Sequence, residues 1–156
     1  MLSLSKRTDY ALIALMHIAQ QPPERPASAR EVAEQYNLPP AMLMNILKTL
    51  HGQGIVRSTR GTKGGYQLAA DLKSISLYQL IETIDGPVKM TECIVVESDC
   101  HEEGCCKVSR SCPVQGPIQA LHHRLVKFLK DVKLSDLIVP GKRIDVPVEL
   151  VGVTLT

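Results

Sequence analysis

Apolar residues recur at helical spacing in four segments of the first half of the chain. Residues 8–19 are apolar on most sides, which predicts a buried first helix. One-sided apolar patterns predict a second helix over 28–36, a third that opens at Pro39-Pro40, and a fourth over 76–84. The inward positions of the third and fourth helices are predicted to be Leu43, Ile46, Leu47, Leu50, Leu77, Leu80, Ile81 and Ile84.

Two of these helices begin with a capping-box sequence. Ser28-Ala-Arg-Glu31 and Ser76-Leu-Tyr-Gln79 each place Glu or Gln three residues after a serine. The serine hydroxyl can accept an early helix N–H while the longer side chain reaches back to the serine N–H. These pairs therefore predict where the second and fourth helices start.

A strand-like pattern follows the third helix. Residues 55–60 predict a strand, residues 61–65 a glycine-rich turn, and residues 66–68 a returning strand. Helix, turn, helix and then a β-hairpin with a basic tip is typical of a winged helix-turn-helix. We therefore expect a mainly α fold with one small β-hairpin, as a winged-helix domain over 1–86.

One long apolar seam dominates the second half of the chain. It lies in a predicted helix over 113–131, and it includes the residues at positions 118, 121, 125, 128, 129 and 132. Such a seam can pack on its own domain, but a small helical lobe offers little to bury it. A dimerisation helix within a region over 113–138, and hence a homodimer, is the favoured interpretation. Residues 139–156 are predicted as an extended tail.

Charge differs between the two halves. Residues 1–70 carry eight Lys or Arg against four Asp or Glu, whereas residues 71–156 carry ten against twelve. A basic N-terminal half favours a polyanionic partner, here double-stranded DNA. A winged helix that binds protein is the alternative, but the basic hairpin tip favours DNA.

The outward side of the third helix and the hairpin tip supply the candidate DNA contacts. The second helix of a helix-turn-helix enters the major groove, where Asn45 can pair with adenine and Lys48 can reach a phosphate or guanine. Glycines at the tip let the backbone approach phosphates closely. The predicted DNA-binding residues are Ala41, Met44, Asn45, Lys48, Arg57, Arg60 and Lys63.

All the cysteines of the chain fall in one polar segment over 87–112, predicted as a cysteine-rich cluster-binding loop. They are Cys93, Cys100, Cys105, Cys106 and Cys112. The polar surroundings argue against simple core residues. The residues themselves leave three chemistries open: a cluster held by thiolates, a zinc site of thiolates alone or with His101, or a thiol switch helped by Lys107 and Arg110.

Several function classes are disfavoured by the sequence. No apolar run approaches the roughly 20 residues of a membrane-spanning helix. A signal-peptide-like start is interrupted by Asp9, and an odd number of cysteines suits a secreted disulfide framework poorly. We therefore expect a cytoplasmic protein without a membrane partner. No nucleophile–base or acid/base pair is visible, so we expect neither an enzyme nor a small-molecule substrate.

Three motifs resemble the Rrf2 family of bacterial transcription regulators. They are Ser5-Lys-Arg-Thr-Asp-Tyr-Ala-Leu12, the Leu43…Leu47…Leu50 helix, and Arg60-Gly-x-Lys-Gly-Gly-Tyr66. The resemblance covers residues 1 to about 138. The opening of the chain is most similar to the branch that regulates SUF iron–sulfur assembly.

This resemblance implies a homodimer in which three cysteines hold an iron–sulfur cluster, [2Fe–2S] or [4Fe–4S]. The interval from Cys106 to Cys112 matches the family spacing. Gln115 stands where one branch has a histidine ligand, whereas Asp9 matches the carboxylate ligand of the NsrR-like branch. The implied ligands are Cys93, Cys106, Cys112 and Asp9, with Cys100 and Cys105 as alternatives.

The function implied by the resemblance is a DNA-binding regulator, a repressor or dual regulator. It would sense iron–sulfur, redox or nitric oxide status through the cluster. Two alternatives remain: a cluster-free thiol–disulfide regulator, and a cluster carrier or electron-transfer protein that does not bind DNA.

Overall fold

Every helix and strand expected in the N-terminal half forms within about two residues of its predicted position. The structure is a computed structural model that describes residues 3–61, 64–90 and 112–138. Its elements are α1 (Lys6–Gln20), α2 (Ala29–Tyr36), α3 (Pro40–Gly52), β1 (Val56–Thr59), β2 (Gly65–Leu68), α4 (Leu77–Asp85), α5 (Gln115–Asp131) and α6 (Leu134–Ile138). The predicted fold class, mainly helical with one antiparallel hairpin, is confirmed.

Serine side chains start three of the helices. Ser5 caps α1 by accepting the Thr8 N–H at 3.1 Å. Ser76 forms the full capping box with Gln79, since its hydroxyl accepts the Gln79 N–H at 3.2 Å and Gln79 Oε1 accepts the Ser76 N–H at 2.8 Å. Each such cap stabilises its helix by about 1 kcal/mol.

The predicted capping box of α2 is only half formed. Ser28 accepts the Glu31 N–H at 3.0 Å, as expected. Glu31 Oε1, however, accepts from Arg25 Nη2 at 2.9 Å and lies 3.8 Å from His17 Nε2. A carboxylate beside a guanidinium gains more than one that reaches back to a neutral N–H. The reciprocal arm of the prediction was therefore wrong.

The core lies where α1 packs on α3. Ala11, Ala14 and Leu15 from α1 are fully buried together with the α3 stripe, and this confirms the predicted inward stripe Leu43, Ile46, Leu47 and Leu50. Each buried Leu or Ile contributes about 1.5–3 kcal/mol. The turn between α2 and α3 passes through Asn37 at φ 52°, a left-handed conformation that asparagine tolerates better than most residues.

The hairpin is held against the start of α2 as well as by its own ladder. β1 and β2 pair antiparallel, with Val56 opposite Leu68 and Thr59 opposite Gly65. Ala27 adds a bridge on the other side of β2: its N–H donates to Tyr66 O at 2.9 Å, and Tyr66 N–H donates to Ala27 O at 2.8 Å. Two hydrogen bonds of one bridge thus join the wing to the segment that leads into α2.

The apolar seam of the long helix has two distinct halves. Phe128, Leu129 and Val132 pack against Leu77 and Ile81 of α4 in a second buried cluster. Near the other end, Val114 is 57% exposed and Leu121 is 46% exposed, and α5 buries none of its residues fully.

The C-terminal boundaries differ from expectation in two respects. The long helix begins at Gln115, two residues after the predicted Pro113, because residues 113 and 114 form a turn in which Gln115 N–H donates to Cys112 O at 3.3 Å. The sequence pattern also missed α6, whose Leu134 and Ile138 belong to the same core as α1. The predicted tail over 139–156 lies outside the described residues.

Candidate nucleic-acid interface and sensing segment

The outward side of α3 presents the predicted base-contacting residues together. Ala41, Met44, Asn45 and Lys48 are all exposed, on the side of the helix opposite its buried stripe. The buried stripe fixes this orientation, because rotating the helix would expose four large aliphatic side chains to water. The outward set offers an amide, an ammonium and two apolar contacts on one helix face.

The wing is attached to α3 through side chains. His51, in the last turn of α3, makes a 3.1 Å contact from Nδ1 to Val56 O. The Tyr66 hydroxyl on β2 lies 3.9 Å from Met44 Sδ, which is long but within the reach of a weak hydrogen bond to sulfur. Two side-chain contacts therefore join α3 to the wing.

Of the three basic residues predicted as DNA contacts on the wing, two lie in the described part of the chain. Arg57 and Arg60 are exposed on the wing, whereas Lys63 lies outside the described residues. Among the described residues, no carboxylate lies within 4.0 Å of Lys48, Arg57 or Arg60. These three charges are therefore available to a polyanion.

Three arginines outside α3 and the wing lie beside carboxylates, namely Arg7, Arg25 and Arg30. Arg30 Nε donates to Glu34 Oε1 at 2.7 Å, and this hydrogen bond and charge raise the pKa of Arg30. Arg7 lies 4.0 Å from Asp85. Among the described arginines of this domain, Arg57 and Arg60 on the wing are the two without a carboxylate within 4.0 Å.

The wing glycines have a packing role that sequence reasoning missed. A Cβ on Gly65 would lie 2.5 Å from Ala27 O, and one on Gly64 would lie 2.3 Å from Thr59 O. Both distances are far below van der Waals contact. The glycines are needed for the strand to pass close to Ala27 and for the turn to close, whatever they also permit at a phosphate.

Two of the implied cluster ligands fall in the described residues. Cys112 is half-buried three residues before α5, and Asp9 is exposed in the first turn of α1. Cys93, Cys100, Cys105 and Cys106 lie outside the described residues. In the described part of the chain, no group of three or more His, Cys, Asp or Glu side chains is placed to hold a metal ion. The ligand set stays a prediction.

Asp85 was not singled out by the sequence, yet it contacts the start of α1. Its Oδ2 accepts from Ser5 Oγ and from Thr8 Oγ1, the latter at 2.6 Å. Asp9, the candidate ligand, is the next residue after Thr8. No local pattern identifies this contact, because the partners are separated by about 80 residues of sequence.

Two groups at the junction of α4 and α5 have shifted pKa values. Burial, followed by the nearby Glu82 carboxylate, raises the pKa of Tyr78, and Lys130 Nζ lies 4.9 Å from the centre of the same ring. Burial and then the neighbouring His123 lower the pKa of His122. His122 therefore favours its neutral form on α5.

The chain is similar in sequence to known transcriptional regulators. A family profile for Rrf2, described as an iron-dependent transcriptional regulator, matches residues 4–140. The chain is 33% identical over 136 residues to a Synechocystis sp. protein named as an HTH-type transcriptional regulator, slr0846, with 87% of each chain covered. It is 25% identical over 145 residues to the regulator IscR of Vibrio parahaemolyticus, covering 93% of this chain and 82% of that one.

A solved structure has the same fold. It is CymR, named the global cysteine regulator of B. subtilis, which superimposes with a TM-score of 0.66 and is 27% identical in sequence. The match covers 88% of this chain and 97% of that one. No helix in the described part of the chain combines the length and apolarity needed to cross a membrane. The profile match and the relatives agree with the resemblance found in the motifs: the chain belongs to the Rrf2 family, and it is a transcriptional regulator, not an enzyme.

Proposed function

We propose that this chain acts in the cytoplasm as a homodimer that binds an operator in double-stranded DNA and represses transcription. The observation that carries the proposal is the single exposed face formed by α3 and the wing. There, Asn45, Lys48, Arg57 and Arg60 lie on elements joined to each other and carry no competing carboxylate among the described residues.

The chemistry of this face matches the two grooves of DNA. Asn45 is suited to the N6 and N7 edge of adenine, and Met44 and Ala41 to a thymine methyl. The wing arginines suit a phosphate or a narrow minor groove. With two copies of the face in a dimer, operator affinity should depend steeply on salt, since each phosphate contact contributes about −0.9 to the slope of log K against log salt.

The exposed half of the α5 seam supports the dimer. Leu121 of the seam and Val114, which immediately precedes α5, are exposed large apolar side chains, whereas the other half of the seam already packs on α4. A second copy of α5 would cover this half and set two α3 helices at a fixed spacing, as palindromic operators require.

For the input we propose an iron–sulfur cluster held by Cys93, Cys106, Cys112 and Asp9. The donor set fits, because thiolates are the ordinary ligands of such clusters and Cys112 is a free, half-buried thiol. The charge of the cluster, and whether the site holds a cluster at all, would change with redox conditions or exposure to nitric oxide. The residues of this chain would transmit that change from the cysteine segment to α1.

A cluster-free thiol–disulfide switch is the second candidate for the input. It is favoured by the structural similarity to CymR, which is named the global cysteine regulator of B. subtilis. Anaerobic purification followed by visible and EPR spectra, with iron and sulfide counts, separates the two. A colourless, iron-free protein whose operator affinity depends on thiol oxidation would replace the cluster with the thiol switch.

DNA binding is tested with an operator selected from a random duplex library by the wild-type protein. Arg60→Ala should weaken binding to all sequences, and Asn45→Ala should reduce discrimination at one base pair by about 1–3 kcal/mol. Lys73→Ala is the matched control, because it removes an exposed positive charge from the loop before α4, away from α3, the wing and the proposed dimer helix. Unchanged affinity and base preference in both test variants would favour a protein-binding winged helix instead.

A further inference from the structure

The carboxylate of Asp85 joins the end of α4 to the start of α1. Asp85 Oδ2 accepts from Ser5 Oγ at 2.5 Å and from Thr8 Oγ1 at 2.6 Å, and Arg7 Nη1 lies 4.0 Å from Oδ1. The hydrogen bonds are charge-assisted and therefore stronger than those between neutral groups. The more distant arginine is half exposed and adds little.

These bonds form a relay into the first turn of α1. The Thr8 backbone N–H donates to Ser5 Oγ at 3.1 Å, and the Ser5 hydroxyl in turn donates to Asp85. Thr8 is completely buried, so its own hydroxyl has little access to water in place of the carboxylate. Loss of Asp85 would leave one buried hydroxyl unpaired and weaken the cap of α1 at the same time.

Asp85 occupies a position that its own helix disfavours. It is the last residue of α4, where the helix dipole favours a cation and opposes a carboxylate. The same charge is favourable at the N-terminus of α1. Local preference therefore does not explain the residue, whereas the contact between the two helices does.

The contact lies between the proposed sensing segment and the DNA-binding helices. After Asp85 the chain turns at Gly86 and reaches Cys93 within eight residues, and on α1 the latched Thr8 precedes the candidate ligand Asp9. Further along, α1 packs its buried face on α3. One helix, α1, therefore contacts both the end of α4 and the helix that carries the outward face.

We propose that Asp85, with Ser5 and Thr8, is a positioning latch that transmits the state of the cysteine segment to α1 and so to the DNA-binding face. This inference rests on the proposed sensing function. When the segment changes state, the end of α4 shifts and the latch either holds or releases the first turn of α1.

The test compares wild type with Asp85→Asn, which keeps the shape and removes the charge, and with Thr8→Val, which keeps the volume and removes the hydroxyl. Glu82→Gln is the matched control, because it neutralises another exposed α4 carboxylate close to Asp85. Operator affinity is measured for the iron-free reduced protein and for protein reconstituted anaerobically with iron and sulfide.

In wild type the two forms should differ in operator affinity by about 5- to 150-fold, the usual range for coupled sites. The ratio should approach one in both latch variants and stay at the wild-type value in Glu82→Gln. A wild-type ratio retained by Asp85→Asn and Thr8→Val would overturn the latch alone. Equal affinities of the two wild-type forms would overturn the proposed sensing function, and the latch with it.

Hydrogen exchange supplies a readout that does not depend on DNA or on a cluster. The Asp9 N–H donates to Ser5 O at 3.0 Å in the first turn of α1. In the iron-free protein its exchange should be faster in Asp85→Asn and in Thr8→Val, with no further increase in the double variant because both break the same contact. Exchange at the wild-type rate in both single variants would show that the latch does not hold α1.

Discussion

Replacing Gly65 with alanine should detach the wing from the start of α2. The added Cβ would lie 2.5 Å from Ala27 O and 2.7 Å from Ala27 C, and both neighbours are backbone atoms that cannot swing aside. Ordinary van der Waals contact for such an atom begins at 3.4 Å, so β2 and Ala27 must separate by about 1 Å.

The expected loss in the free energy of unfolding follows from the two hydrogen bonds between Ala27 and Tyr66. Ala27 N–H to Tyr66 O is 2.9 Å and Tyr66 N–H to Ala27 O is 2.8 Å, and a separation of about 1 Å takes both beyond hydrogen-bonding distance. Each bond contributes a net ~1 kcal/mol, so Gly65→Ala should lower the free energy of unfolding by about 2 kcal/mol. Operator affinity should fall as well, because the wing no longer holds its angle to α3.

Urea unfolding measures the stability, with Gly116→Ala as the matched control. Gly116 lies in the first turns of α5, and a Cβ there would meet nothing within 4 Å. That substitution should be neutral or stabilise the protein by up to ~1 kcal/mol. If Gly65→Ala unfolds at the same urea midpoint and slope as wild type, the close approach to Ala27 does not constrain the wing.

Three further changes have defined outcomes. Ser76→Ala removes the hydroxyl arm of the α4 capping box and leaves the backbone N–H that donates to Gln79 Oε1, and it should cost about 1 kcal/mol in urea unfolding; no loss would show that water replaces the hydroxyl. Leu121→Glu places a charge on the exposed half of α5 and should shift sedimentation from dimer to monomer at micromolar concentration, whereas an unchanged dimer would place the interface elsewhere. The pKa of His122 is lowered by burial and by His123. As the pH falls, the unfolded chain therefore binds a proton at this histidine at a higher pH than the folded chain does. Stability is full above pH 6.5 and should fall below it more in wild type than in His122→Gln; equal pH profiles would contradict this.

Local patterns predicted the helices and the exposed face of α3 because the causes are local. The spacing of Leu43, Ile46, Leu47 and Leu50 alone determines which side of α3 turns inward. The capping box at Ser76 is likewise complete within four residues. The candidate DNA-contacting residues on α3 could therefore be named from sequence, although their contact with DNA is still a proposal.

Contacts between distant segments left no such signal. The bridge from Ala27 to Tyr66 gives the wing glycines their packing role, but an alanine in a proline-rich loop carries no sign of its partner. Even a nearby contact was missed, since Glu31 followed the capping-box pattern but pairs at 2.9 Å with Arg25, six residues earlier in the proline-rich loop. Asp85 even contradicts its local preference, because its favourable partner is the start of another helix.

The divided seam of α5 reconciles the two interpretations of that helix. Phe128 and Leu129 pack on α4, so this end belongs to the fold of one chain, while Val114 and Leu121 remain exposed near the other end. The exposed half is also the half that directly follows Cys112. In the proposed dimer, subunit contact and cluster ligation would therefore meet at one end of α5. A change in ligation there would act on two routes at once, the dimer contact and the α4–α1 junction. The Leu121→Glu monomer separates them, because it removes the first route and leaves the Asp85 contact in place.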